Sequence, residues 1–185
     1  MKTYILSHLN PLNMNPNPPI KLVIADDHES FRKGFTKIIR DQYPEEIEFV
    51  AEAANGTELV ENVAKHRPQV VITDIRMPGM DGIQASKIIK QQYPGTAIIA
   101  LSAFTDTRTI MAMLQAGVNG YLIKTSPKEE VMEAIQSVSR NEPYYCSTVS
   151  GKMYGTIVSS HQKQKKNKPI IFSTQESDAT DLQAT

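Results

Sequence analysis

Short apolar, β-branched runs alternate along residues 20–142 with longer stretches in which apolar residues recur at helical spacing. The short runs predict five β-strands at Lys21–Ala25, Ile47–Ala51, Val70–Thr73, Ala97–Leu101 and Gly120–Ile123. The longer stretches predict helices near residues 29–41, 56–66, 82–92, 106–116 and 127–140. The last helix shows the pattern most clearly, with one apolar face made of Val131, Ala134, Ile135 and Val138.

Strands that alternate with helices in this way predict a parallel sheet built from βα units. The crossover connections in such sheets are nearly always right-handed, and the expected arrangement is a doubly wound α/β sheet with strand order 2-1-3-4-5. Ligands of these folds bind at the carboxyl ends of the strands. Candidate functional residues are therefore those that follow each strand.

Acidic residues follow the first and third predicted strands. Asp26 and Asp27 come after the first strand, and Asp74 comes after the third. Because these two strands are neighbours in the predicted order, we expect the three carboxylates to converge. Like charges at close range either raise a pKa or bind a cation, and Mg²⁺ prefers oxygen ligands of this kind. Since Mg²⁺ uses one or two carboxylates beside waters and phosphate oxygens, one carboxylate remains available as a nucleophile or phosphoryl acceptor.

Two donor groups end the fourth and fifth strands. Ser102 offers a hydroxyl and Lys124 offers an ammonium group, which are the donors that a phosphoryl group on an aspartate needs. Each residue also has an ordinary structural explanation, since an Asp after a strand is often a helix cap and a Lys there often reaches solvent. The five residues share one edge of the predicted sheet on four strands, and this favours a site.

The order and spacing of the segments ADDH, TDIRMPGMDG, ALSA and GYLIK resemble the receiver domain of two-component response regulators over about residues 20–142. The NarL/LuxR-like subgroup is most similar. The resemblance implies a flavodoxin-like (βα)5 fold and Mg²⁺-dependent transfer of a phosphoryl group from the phosphohistidine of a sensor histidine kinase. It implies a bacterial, cytoplasmic signalling domain in transcription regulation, with self-phosphotransfer and slow autodephosphorylation as its only chemistry.

The resemblance also implies roles for individual residues. Asp74 matches the phosphoacceptor, Asp27 matches the direct Mg²⁺ ligand, and Asp26 matches a residue that assists through water. The backbone carbonyl of Arg76 would complete the protein's share of the metal shell.

Three further positions match residues that respond to phosphorylation. Ser102 and Lys124 match the groups that stabilise the phosphoryl oxygens, and Tyr121 matches an aromatic residue that turns inward on activation. The alternative for Tyr121 is a half-buried strand residue without a switching role.

The segments outside the resemblance predict tails and a linker. Residues 1–19 form an expected disordered extension, because residues 10–19 combine Pro and Asn without periodicity. Residues 143–160 predict one more helix, with Val149, Met153, Tyr154 and Ile157 on one face. Residues 161–185 predict a basic linker and the truncated start of an output domain, since Ser173 to Glu176 resembles a capping box.

NarL-like regulators usually continue into a helix-turn-helix domain, for which the residues after Glu176 are too few. DNA binding is therefore not supported by this chain as it stands. A natural stop, a frameshift and an engineered boundary all fit this ending. The expected partners are a sensor histidine kinase and, on phosphorylation, a second copy of the chain.

Composition and motif spacing argue against two other classes, a membrane-spanning protein and a phosphatase. No apolar run approaches the roughly 18 residues that span a bilayer, and a lone cysteine, Cys146, suits a reducing compartment. An aspartyl-phosphate phosphatase of the haloacid dehalogenase type is an unfavoured alternative. That class needs Asp-x-Asp after the first strand, and here Asp26 is followed two residues later by His28.

Overall fold

Six strands and six helices alternate along the chain in a computed structural model that describes residues 18–103 and 105–155. The strands are β1 (Ile20–Ala25), β2 (Ile47–Ala53), β3 (Val70–Thr73), β4 (Ala97–Ser102), β5 (Gly120–Ile123) and β6 (Tyr144–Tyr145). The helices are α1 (Glu29–Gln42), α2 (Gly56–His66), α3 (Gly82–Gln92), α4 (Thr107–Gln115), α5 (Lys128–Ser139) and α6, which begins at residue 147 and is described to residue 155.

The strands form one parallel sheet in the order β2-β1-β3-β4-β5-β6. Every residue of β3 and β4 is buried, as are the last four residues of β1. Strands of this kind read as continuous apolar runs because helices cover both faces of a parallel sheet. The predicted parallel α/β architecture is confirmed, and the five predicted strands lie within two residues of the observed ones.

The five-strand prediction is corrected at one edge of the sheet. A sixth strand pairs with β5 through Gly120 with Tyr144 and Tyr121 with Tyr145. The sequence predicted one helix over residues 143–160, and the structure instead forms this strand before α6. A two-residue strand is too short to produce the alternation that reveals a strand in sequence.

Within α6, Val149 is fully buried, whereas Tyr154 is 72% exposed and does not join the predicted apolar face. Ile157 lies outside the described residues, as do the predictions for residues 1–17 and 161–185. None of the described helices has the length and apolar content that crossing a membrane requires.

The loop between β3 and α3 is built around close backbone contacts. The N–H of Gly82 donates to the carbonyl of Ile75 at 2.9 Å, and Asp81 and Gln84 form a reciprocal capping box that starts α3. A Cβ atom added to Gly82 would lie 2.1 Å from the carbonyl oxygen of Asp74. This position therefore needs glycine, and the contact fixes the backbone that carries Asp74.

Candidate functional site

Acidic side chains meet at the carboxyl ends of β1 and β3. Ligand atoms of Asp26, Asp27, His28 and Asp74 all lie within 4.8 Å of one another. Asp26 and Asp74 are buried, with 1% and 6% of their surface exposed, while Asp27 faces solvent. The structure thus brings together the three carboxylates that the sequence singled out.

Lys124, directly after β5, bridges the two buried carboxylates. Its Nζ lies 2.6 Å from Oδ2 of Asp26 and 3.0 Å from Oδ2 of Asp74, and 4.6 Å from the centre of the Phe31 ring. Burial opposes the charge of the ammonium group, but the hydrogen bonds to the two carboxylates outweigh it and raise the pKa of Lys124. Lys124 therefore stays charged and partly neutralises the cluster.

Both oxygens of the Asp74 carboxylate have defined partners. Oδ1 accepts the Ile75 N–H at 2.7 Å, and Oδ2 accepts from Lys124. Burial raises the pKa of Asp74 above its usual value, although Lys124 and the Ile75 N–H act in the opposite direction. The backbone is fixed as well, since the Asp74 N–H donates to the carbonyl of Ala25 at 2.7 Å. The carboxylate is therefore held in one orientation at the mouth of the sheet.

Ser102 and Tyr121 lie side by side below this edge. Both are fully buried, and their hydroxyl groups are hydrogen-bond partners. Burial raises the pKa of Tyr121 to about 12, and the bond with Ser102 acts against that rise. The Lys124 N–H donates to the carbonyl of Ser102 at 2.9 Å, which ties the ends of β4 and β5 together. Tyr121 thus occupies an inward position in this structure.

Arg76 lies two residues beyond Asp74 with an exposed side chain. Its guanidinium lies near Asp106, whose pKa is lowered first by hydrogen bonds involving Thr109 and also by the charge of Arg76. The side chain therefore belongs to the rim of the site, and the role of its backbone carbonyl stays a prediction.

The site also contains three residues, all at the start of α1, to which the sequence pattern assigned no role. His28 places Nδ1 2.9 Å from Oδ1 of Asp27, and Arg32 donates from Nη1 to the carbonyl of Asp26 at 2.5 Å. Phe31 packs its ring beneath the ammonium of Lys124. Helical spacing could have indicated them, because positions 28, 31 and 32 share one face at the start of α1, next to Asp26 and Asp27 in sequence.

The donor set fits a small divalent cation. Three carboxylates face one ammonium group, so the cluster retains a net negative charge. Oxygen donors in this number, two of them from buried residues held by hydrogen bonds, are typical of a site for a hard cation rather than for a thiolate-binding metal.

Comparison with known proteins assigns the family. Residues 22–136 match the response regulator receiver domain. The oxygen regulatory protein NreC of Staphylococcus epidermidis is 38% identical over 144 residues, which are 77% of this chain and 65% of that protein. NreC of Staphylococcus aureus is 34% identical over 149 residues, covering 80% and 68%.

Solved structures give the same assignment. The receiver domain of NarL from Mycobacterium tuberculosis superposes with a TM-score of 0.63 at 29% identity, over 67% of this chain and 98% of that one. The receiver domain of RcsB from Salmonella enterica serovar Typhimurium, solved with the phosphomimetic BeF3⁻, gives a TM-score of 0.65 at 28% identity, over 72% and 98%.

The chain therefore belongs to the response regulator receiver family. Residues 22–136 form a receiver domain of the NarL/LuxR type, the phosphorylation-controlled domain of two-component signalling. The chain spans about 65% of the length of the S. epidermidis NreC protein. The phosphatase alternative finds no support in these comparisons.

Proposed function

We propose that Asp74 accepts a phosphoryl group from the phosphohistidine of a sensor histidine kinase. The observation that carries this proposal is the arrangement of its carboxylate, which is buried beside two other acidic residues and bonded to Lys124 at 3.0 Å. A fixed, buried carboxylate with an ammonium group alongside is suited to in-line attack on phosphorus.

Asp26, Asp27 and Asp74, with the backbone carbonyl of Arg76, would hold Mg²⁺ in this site. When bound, Mg²⁺ supplies positive charge that offsets the negative charge of the transferring phosphoryl oxygens. The resemblance to other receiver domains implies that Asp27 would bind the ion directly and that Asp26 would assist through a water molecule.

The covalent step is a simple exchange of bonds. An oxygen of Asp74 forms a bond to phosphorus while the bond between phosphorus and the histidine nitrogen breaks, and the imidazole keeps the electron pair. The backbone N–H of Ile75 stays on Oδ1, so the attacking atom is Oδ2, whose partner is the movable ammonium group of Lys124. Lys124 then moves its hydrogen bond from the carboxylate to a phosphoryl oxygen, because that oxygen carries the new charge.

Ser102 and Tyr121 respond to the new group. The Ser102 hydroxyl donates a hydrogen bond to a phosphoryl oxygen, and its own oxygen accepts a hydrogen bond from the Tyr121 hydroxyl. Both bonds are possible because a hydroxyl has one donor and two acceptor sites. The phosphoryl group thereby favours the inward position of Tyr121. Only this differential interaction can shift the balance between two states of the domain.

Labelling by acetyl phosphate tests the proposal. We expect the mass of the intact chain to increase by one phosphoryl group when Mg²⁺ is present, and labelling to fall at least about 100-fold in Asp74→Asn or after chelation. Asp41→Asn is the matched control, since Asp41 is an exposed carboxylate paired with Lys37. Equal labelling of wild type and Asp74→Asn, or labelling that survives chelation, would show that the site is assigned wrongly.

Outputs of this domain depend on contact with other proteins. Kinase binding and formation of a dimer are the interactions we propose for it, with a cytoplasmic location, as for receivers generally. The described residues supply no DNA-reading unit, and an NreC-like role in transcription regulation is proposed for the whole regulator.

We expect beryllofluoride with Mg²⁺ to convert a monomer into a weak, concentration-dependent dimer with a modest interface. Sedimentation velocity over a concentration series measures the change. Asp74→Asn should remain monomeric under the same conditions. An unchanged monomer for the wild type with bound beryllofluoride would exclude dimerisation and leave phosphoryl acceptance untouched.

A further inference from the structure

The segment after α5 packs against the strand that carries Tyr121. We call residues 144–155, which comprise β6 and the described part of α6, the C-terminal strap. Tyr145 pairs with Tyr121 in the sheet, and the Cys146 N–H donates to the carbonyl of Tyr121 at 3.1 Å. Cys146 and Val149 are buried, so the strap is part of the packed domain at this edge.

The strap also reaches the loop that follows Ser102. Lys152 on α6 donates from Nζ to the backbone carbonyl of Thr105 and to the Thr105 hydroxyl, the latter at 3.0 Å. Thr105 lies three residues beyond Ser102 in the connection between β4 and α4. One half-buried ammonium group therefore joins two segments that are 47 residues apart in sequence.

These contacts belong to the inward state of Tyr121. In that state the hydroxyl groups of Tyr121 and Ser102 are bonded to each other, and a hydroxyl that accepts from one partner can donate its own hydrogen to a second. Hydrogen bonds in such a chain polarise and strengthen one another. A contact that holds the loop at Thr105 holds Ser102 in the position where this chain of bonds forms.

We propose that Lys152 is a positioning residue of the phosphoryl site and couples the C-terminal strap to the state of Asp74. Through Thr105, Lys152 holds the start of α4 close to the end of β4, where Ser102 lies, and a phosphoryl group on Asp74 in turn strengthens the docking of the strap. This reciprocity is required, because a coupling free energy between two sites acts equally in both directions. The inference rests on the proposed function for the identity of the ligand at Asp74.

Lys152→Met tests the proposal in the full chain, since methionine keeps the apolar stem and removes every donor. We expect the affinity for beryllofluoride with Mg²⁺ to fall about three- to tenfold, as for loss of a half-buried charged hydrogen bond. Lys152→Arg should restore most of the affinity. Lys87→Met, which removes an exposed lysine on α3, should have no effect.

Thr105→Ala supplies a double-mutant cycle. It removes the hydroxyl acceptor of the pair, so its effect should shrink in the Lys152→Met background. Additive losses, or an affinity unchanged by Lys152→Met, would overturn the proposal.

Amide hydrogen exchange separates this inference from the proposed function. Without any phosphoryl mimic, Lys152→Met should speed exchange about three- to tenfold in residues 105–107, in β5 and in the strap, because the strap then opens more often. If wild type binds no beryllofluoride, the proposed function fails while this exchange result still supports the coupling between strap and loop. Exchange identical to that of wild type in all three segments would contradict the coupling.

Discussion

Gly82→Ala should destabilise this domain by about 3–5 kcal/mol, a large fraction of the roughly 5–15 kcal/mol that holds a typical domain folded. The added Cβ would lie 2.1 Å from the carbonyl oxygen of Asp74 and 3.1 Å from Cα of Ile75. Both neighbours are backbone atoms, so relief requires α3 or the loop after β3 to move. Urea denaturation followed by circular dichroism measures the loss.

Gly34→Ala is the matched control for that substitution. Gly34 lies inside α1, and a Cβ there would meet nothing within 4 Å. Alanine should stabilise the domain by about 0.5–1 kcal/mol through its higher helix propensity. If both variants change stability by the same amount, the close approach of α3 to the Asp74 backbone does not constrain the fold.

Lys124→Met should destabilise the domain by about 2–4 kcal/mol, because it leaves two buried carboxylates without their shared cation. The value lies below the roughly 3–5 kcal/mol of a fully buried pair, since Lys124 keeps 17% of its side chain exposed. Added Mg²⁺ should recover part of the loss, so the stabilisation by Mg²⁺ should be larger in Lys124→Met than in wild type.

Two other variants, Asp74→Asn and Lys128→Met, should lose less stability than Lys124→Met. Asp74→Asn leaves Lys124 paired with Asp26 at 2.6 Å, so its effect on stability should be much smaller. Lys128→Met removes an exposed hydrogen bond to Gln42 and should change stability by no more than about 0.5 kcal/mol. A Lys124→Met variant as stable as Lys128→Met would contradict the role of Lys124 as the shared cation.

The sequence predicted those features that follow from local pattern and topology. Apolar runs located β1 and β3, and the rule that neighbouring parallel strands end at one edge predicted that Asp26 and Asp74 lie together. The same rule led to Ser102 and Lys124. Each of these residues directly follows or ends a strand, so its position depends on the fold alone.

Features that depend on packing between distant segments were not predicted. Thr105 and Lys152 meet across 47 residues, and no local pattern marks either one. The strand β6 is stabilised by its pairing with β5, and its two tyrosines show no alternation. For Arg32, the sequence predicts its position on a face of α1 from helical spacing. Its hydrogen bond to the carbonyl of Asp26 could not be predicted, because that bond depends on how α1 packs.

Chemical trapping identifies the aspartate that carries the phosphoryl group. Borohydride reduces an acyl phosphate to an alcohol, so an aspartate that carries a phosphoryl group becomes homoserine and is located by peptide mass mapping. After treatment with acetyl phosphate and Mg²⁺, we predict homoserine at position 74 and unchanged aspartate at positions 26 and 27. Homoserine at position 26 or 27, or at none of the three in a chain whose intact mass shows labelling, would contradict the assignment of Asp74 as the phosphoacceptor.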